Sequence, residues 1–193
     1  MEGLNALEDF LSGIYPLHNE EMAALLAVWQ PYSCKRKTLL TKAGETERYL
    51  YFVLEGVQRA FYSGDDGHEA TIVFTYPPSF SGIADSFLTQ TPSQFFLETL
   101  TTSRFLRTSH KQLEDLMHSH ADILQMVLRL TSFALRGVLE RQIELQCFSA
   151  EQRFRTLFKR SPHILNLIPH KYLASYLGLD PTTFSKLLGS ARL

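Results

Sequence analysis

His170-Lys-Tyr-Leu-Ala-Ser-Tyr-Leu-Gly178-Leu-Asp180-Pro-Thr-Thr-Phe-Ser-Lys186-Leu-Leu188 decides how the chain is read. Leu173, Ala174 and Leu177 give a short amphipathic helix one apolar face, and it ends at Gly178, which readily adopts the left-handed conformation of a C-cap. Asp180 is a good N-cap and Pro181 suits the first position of a second helix, whose buried stripe is Phe184, Leu187 and Leu188. The small Ala174 lets the two helices approach closely across a tight turn, the geometry of a helix-turn-helix. Thr182, Thr183, Ser185 and Lys186 are left facing outward, and these residue types hydrogen-bond to base edges and phosphates. A plain pair of helices with a polar outer face has the same pattern.

Charge separates the two possibilities. The 193 residues carry a net charge of only -1, but from Glu151 onward seven basic residues (Arg153, Arg155, Lys159, Arg160, Lys171, Lys186 and Arg192) face two acidic ones, Glu151 and Asp180. That is +5 on the terminal module and -6 on the first 150 residues. A basic module on an acidic body points to an anionic partner for that module alone. Combined with the helix-turn-helix pattern, it favours double-stranded DNA.

Upstream the pattern changes twice. Leu4, Leu7, Phe10, Leu11 and Ile14 recur at helical spacing, and a second helical stretch follows Pro16. From Lys37 to Ser109 come short runs rich in β-branched and aromatic residues: Tyr49–Leu54, Val57–Tyr62, Ala70–Phe74, Phe95–Leu100 and Phe105–Thr108. Turn signals such as Lys42-Ala-Gly44-Glu45, Glu55-Gly56, Gly64-Asp-Asp-Gly67 and Pro77-Pro78 bound them, which predicts a barrel or sandwich. A long helix from about His118 to Gln146 then places Leu124, Leu128, Thr131, Leu135 and Val138 near a/d positions. Its apolar stripe is too wide for a single seam, so it is expected to pack on its own β domain and on the same helix of a second subunit.

Several classes are excluded. The most apolar segment, Ile123 to Leu145, contains Arg129, Arg136, Glu140, Arg141 and Glu144, so no membrane span or membrane partner is expected. No basic region precedes an apolar stretch at the N-terminus, and the expected location is cytoplasmic. Cys34 and Cys147 belong to no CxxC or Cys/His cluster, and the seven histidines lack ligand spacing, so no metal and no cofactor is expected. No Ser/His/Asp, Cys/His or paired-carboxylate arrangement suggests an enzyme.

The order of N-terminal helices, β domain, long helix and terminal helix-turn-helix resembles the Crp/Fnr family, that of the cAMP receptor protein and the fumarate and nitrate reduction regulator. The residues that carry the resemblance are Lys42-Ala-Gly-Glu45, Tyr49-Leu-Tyr-Phe-Val-Leu-Glu-Gly56, the Asp66-Gly67 hairpin, Phe80-Ser-Gly82 and Leu173 to Lys186. The last of these is similar to the compact module of the family's Bacteroidetes-like branch. The resemblance implies an α+β chain. Residues 1–117 would be N-terminal helices and a double-stranded β-helix of the jelly-roll, cyclic-nucleotide-binding-like kind, acting as sensor. Residues 118–146 would be a dimerisation helix, and 147–193 a helix-turn-helix DNA-binding domain. It further implies a homodimeric transcription regulator with RNA polymerase as a candidate partner. Pro181, Thr182 and Lys186 occupy base-reading positions, Thr183 and Ser185 flank them, and Lys171 would hold the DNA backbone.

Two departures limit the resemblance. Nucleotide binders of the family carry a Gly-Glu pair and an Arg followed by Ser or Thr, whereas here Ile83 follows Gly82 and Ser93-Gln94 replace the second pair. A cyclic phosphate loses its charged partner, so cAMP is not expected to bind, and any small-molecule effector is unknown. An anion nest of backbone N–H groups from Gly82 to Ser86 persists, with Asp85 opposing an anion there. The wing beside the helix-turn-helix is reduced, Ile164–Ile168 being the candidate strand before its first helix. A second reading therefore stays open: a degenerate sensor module that binds a metabolite or a protein without touching DNA.

Overall fold

The apolar–polar alternation between residues 30 and 109 resolves into eight strands in the structure, a computed structural model that describes residues 2–190. They are β1 (Gln30–Cys34), β2 (Leu39–Thr41), β3 (Tyr49–Glu55), β4 (Gln58–Ser63), β5 (Glu69–Thr75), β6 (Ser79–Ser81), β7 (Phe96–Thr99) and β8 (Ser103–Ser109). All pair antiparallel in two four-stranded sheets, ordered β1-β8-β3-β6 and β2-β7-β4-β5. Tyr51, Val53, Ala60, Ile83, Leu97 and Phe105 fill the space between them, so the β domain is a jelly roll with its own core.

Strands β3, β4, β5, β7 and β8 lie where the alternation places them. The other three escape it for physical reasons. β1 is an edge strand that carries Pro31, and β2 and β6 are three residues each, too short to show a period.

Helices α1 (Glu2–Ser12), α2 (Asn19–Ala27) and α4 (His110–Ser119) cover the outer face of the first sheet, and α3 (Ala84–Thr89) sits between β6 and β7. Leu7, Leu11, Leu25, Phe52, Leu106 and Leu113 pack in the second core they form. The long helix α5 runs Ala121–Cys147 and not from His118, because His120 is extended (φ -134°, ψ 106°) and separates it from α4. Its first turns bury Ile123, Met126 and Val127 in that core. Every residue from 131 to 140 is then exposed, Leu135 by 58% and Val138 by 61%.

Beyond α5 lie α6 (Ala150–Arg160), α7 (Ile164–Leu167), α8 (His170–Leu177) and α9 (Pro181–Ser190). The segment Ile164–Ile168, expected as a strand, is a helical turn. Ile164 and Ile168 are both buried four residues apart while Leu167 is 45% exposed, and the Ile168 N–H donates to the Ile164 carbonyl at 2.9 Å. The buried positions follow a period of 3.6, not 2. Phe154, Leu157, Leu173, Leu177 and Phe184 form a third core with Ile164 and Ile168, and Val57 and Leu100 of the β domain join it.

The β3–β4 turn depends on Gly56, at φ +92°, where a Cβ would lie 2.4 Å from the Ser103 hydroxyl and 2.6 Å from the Thr102 carbonyl oxygen. Gly56→Ala combines a left-handed backbone with a backbone clash, and is expected to lower stability by about 2–4 kcal/mol. Urea denaturation followed by circular dichroism should show the midpoint falling at unchanged slope. A loss below about 0.5 kcal/mol would contradict this reading of the turn.

Candidate functional site: the helix-turn-helix face and the cleft of the β domain

Gly178 ends α8 in the left-handed conformation (φ 62°, ψ 41°), and the Leu179 N–H returns to the Ala174 carbonyl at 3.0 Å. Asp180 then caps α9. Its carboxylate accepts from the Thr183 N–H at 2.9 Å and the Thr183 hydroxyl at 2.6 Å, and these bonds hold it below the ordinary carboxylate range. Leu173, Ala174, Leu177 and Phe184 are buried, which fixes the crossing of α8 and α9. Pro181, Thr182, Ser185 and Lys186 are exposed on α9, and Lys171 is exposed on α8 with its ammonium 4.7 Å from the Tyr172 ring centroid. The Thr183 hydroxyl is committed to Asp180 and the Ser185 hydroxyl to the Pro181 carbonyl. Thr182 and Lys186 thus keep their polar groups toward solvent.

The opposite face of α8 is fastened to the sheet. Arg59 of β4 is 2% exposed and its guanidinium pairs with Glu69 at 2.7 Å and Glu98 at 2.5 Å. It lies 4.0 Å from the Phe61 ring centroid and 3.7 Å from that of Tyr172 on α8. Strand β5 is an edge strand, and its Thr71 N–H donates to the Ser175 hydroxyl at 2.9 Å. The helix therefore covers an otherwise unpaired edge. Tyr176 adds an aromatic contact with Phe74 and accepts, through its carbonyl, from Arg141 of α5.

The sequence-derived pocket residues gather around the loop at Gly44–Glu47. Gly82 lies against β3 at φ +150°, Ile83 is buried in the inter-sheet core, and Asp85 is exposed. The Ser86 hydroxyl accepts from the Glu47 N–H at 2.9 Å and donates to the Thr91 carbonyl at 2.6 Å. Ser93 is buried, hydrogen-bonded through its hydroxyl to Phe95 and through its backbone to Gly44 and Glu45, while Gln94 is exposed. The carboxylate of Glu47 accepts from the Ile83 N–H at 3.2 Å and from the Thr41 hydroxyl at 2.5 Å. An internal anion thus takes a backbone donor of the nest.

Beside Glu47 the sandwich opens at the β1–β2 edge into a cleft of about 490 Å³. Tyr32, Tyr49, Tyr51 and Arg107 line it from one sheet and Leu39–Thr41 from the other, with Glu45–Arg48 closing one side. The reading of the sequence passed over Arg107, Arg59 and Glu47. A signal existed for Arg107: it lies two residues from Phe105, so strand parity sends it to the inner face. None existed for Arg59, whose covering ring, Tyr172, comes from α8, more than a hundred residues later.

Residues 32–120 match the model of the cyclic nucleotide-binding domain. The fumarate and nitrate reduction regulatory protein of Vibrio cholerae is 29% identical over 161 residues, which cover 78% of this chain and 64% of that protein. The anaerobic regulatory protein of Haemophilus influenzae is 26% identical, over 80% of this chain and 64% of its own length. The chain thus spans about two thirds of the length of these relatives, slightly under that fraction. Among solved structures, FixK2 from Bradyrhizobium japonicum superposes with a TM-score of 0.76 at 17% identity, covering 84% of this chain and 83% of that one. A crp/fnr-family chain from Eubacterium rectale does so with a TM-score of 0.70 at 14% identity, over 90% and 82%. These structural likenesses establish the fold: a cyclic nucleotide-binding jelly roll joined by a long helix to a helix-turn-helix. In sequence, the chain is similar to the cyclic nucleotide-binding domain over residues 32–120 and to these two regulatory proteins over about four fifths of its length.

Burial pushes the Glu47 carboxyl above the ordinary carboxylate range, against the opposing effect of its hydrogen bonds from Thr41, Ile83, Tyr49 and Arg48. In the interval between the ordinary and the raised value the folded chain holds this proton and the unfolded chain does not, so stability falls as pH rises through it and is level above. Glu47→Gln removes that titration. The stability of the wild type minus that of the variant, from urea midpoints, should decline from the ordinary carboxylate range upward. A difference that rises with pH would contradict the assignment.

Proposed function

We propose that the chain is a transcription regulator that binds double-stranded DNA as a homodimer through α9, with the jelly roll as a sensor that does not use cAMP. The observation that carries the reading is the α8–α9 pair, capped at Gly178 and Asp180, with Thr182 and Lys186 on its open face and Lys171 beside it. Its neighbours named as regulatory proteins support the same role. In the dimer, α5 supplies the seam. Leu124, Leu128, Thr131, Leu135 and Val138 are spaced four, three, four and three apart, the heptad rhythm, and all are exposed in the single chain. A parallel pair of α5 helices would hold two α9 helices for half-sites ~34 Å apart, one turn of the duplex.

Gel-shift titrations with genomic fragments at stated salt test this proposal. Lys186→Ala should remove about 1–3 kcal/mol of discrimination at one base, whereas Lys171→Ala should weaken all sequences alike and flatten the salt dependence. Leu135→Glu should convert the dimer to monomer in equilibrium sedimentation and weaken the shift with it. Equal binding to specific and random duplexes at near-physiological salt would reject the regulator and leave the sensor module without DNA binding.

The absence of cAMP recognition rests on Ile83, Ser93 and Gln94 in place of the family's Glu and Arg-Ser/Thr, and on the Glu47 carboxylate at the Ile83 N–H. Losing an Arg–phosphate pair weakens binding on the order of a thousandfold. Calorimetry with cAMP and cGMP should show no micromolar binding, and a micromolar dissociation constant for either would overturn this part of the proposal.

A further inference from the structure

We propose that the cleft at the β1–β2 edge binds a small planar monocarboxylate, with Arg107 as its charge partner and Tyr32, Tyr49 and Tyr51 as its walls and donor. The inference concerns the sensor domain alone and stands whether or not the chain binds DNA.

Arg107 is half-buried on β8, its guanidinium 4.1 Å from the Tyr32 ring centroid and 4.2 Å from that of Tyr49. The two rings fix its plane, but no carboxylate or other hydrogen-bond acceptor of the described residues reaches its N–H groups. The contrast with Arg59 is direct. That buried guanidinium of the neighbouring sheet holds two carboxylates, and exposed Arg104 holds Glu55. A guanidinium kept in one plane and left with open donors matches the two oxygens of a carboxylate.

Tyr51 forms part of the cleft and is 3% exposed, and its hydroxyl has no hydrogen-bond partner among the described residues. Burial pushes this phenol further above its ordinary range, so it stays a neutral donor. The hydroxyl itself is not sealed from solvent, and a ligand oxygen in the cleft can accept from it.

The charge of the cleft sets the charge of the ligand. Glu47 commits its carboxylate to Thr41, Ile83 and Tyr49, and exposed Glu45 and Arg48 offset each other at the rim. One inner cation matches one negative charge, and the second charge of a phosphate would meet no partner. The tyrosine walls and Leu39–Leu40 favour a flat apolar body behind the carboxylate. The volume of about 490 Å³ is that of a small-molecule site.

The test is isothermal calorimetry of the full chain with sodium benzoate, using acetate and inorganic phosphate as comparators. Benzoate should bind saturably at one site per chain with a dissociation constant below about 1 mM, and acetate and phosphate at least about tenfold more weakly. Arg107→Gln should weaken benzoate at least about tenfold and Tyr51→Phe severalfold, each with the circular dichroism and melting temperature of the wild type. Should Arg107→Gln fail to fold, Arg107→Lys keeps the charge without the planar fork, and it too should bind benzoate more weakly. No saturable benzoate binding up to about 10 mM would overturn the proposal, as would unchanged affinity in the folded Arg107 variant or phosphate binding tighter than benzoate.

Discussion

The guanidinium of Arg59 holds the two halves of this chain in their relative places. A cation that is 2% exposed requires full compensation, and it receives two carboxylates from its own sheet and an aromatic face from each side. One of those faces, Tyr172, belongs to the helix-turn-helix. Removing one partner of such a pair leaves a buried charge and typically costs about 3–5 kcal/mol. The contact is therefore specific in geometry: α8 is held where its tyrosine covers the cation and its Ser175 hydroxyl meets the free edge of β5. The same junction is stiffened from the other side by Glu144 of α5, buried and paired with Arg141 at 2.6 Å and Arg160 at 3.1 Å.

From this fastening the placement of the functional surfaces follows. Helix α8 has two occupied faces, one on β5 and one in the core with Phe154 and Phe184, so α9 must lie on the far side with its polar face open. Helix α5 is anchored at its first turns by Ile123, Met126 and Val127 and again near its end by Glu144, and its middle is held away from both cores. The exposed apolar residues there result from that anchoring and supply the seam of the proposed dimer. The cleft beside Arg107 lies at the β1–β2 edge and α8 docks at the β5 edge, on the opposite side of the second sheet's strand order.

What was legible in the sequence was whatever depends on short-range rules. Gly178, Asp180 and Pro181 announce a helix end and a helix start because caps need particular residues at particular positions. Long alternating runs such as Tyr49–Leu54 announce strands because one face is buried. The three-residue strands β2 and β6 could not show a period, and in Ile164–Ile168 five mostly apolar residues between two prolines fit either period. Only the buried pair Ile164 and Ile168 decides it. The site was less legible than the fold. Glu47 satisfies donors at Ile83 and Tyr49 and bonds to Thr41, and Arg107 faces inward by parity alone. Arg59 gains its last partner from a residue 113 positions away, a contact made by the packing of α8 on the sheet.

The attachment of the helix-turn-helix to the sheet edge is most directly tested by hydrogen exchange at the Thr71 amide, whose acceptor is the Ser175 hydroxyl. An edge-strand N–H that points away from its sheet exchanges rapidly unless something covers it. The Thr71 amide should be protected at the level of the β4–β5 ladder in the wild type, and that protection should fall sharply in Tyr172→Ala while the amides of β8 keep theirs. Exchange of the wild-type Thr71 amide at the rate of an open edge, or unchanged protection in Tyr172→Ala, would contradict the Arg59–Tyr172 fastening.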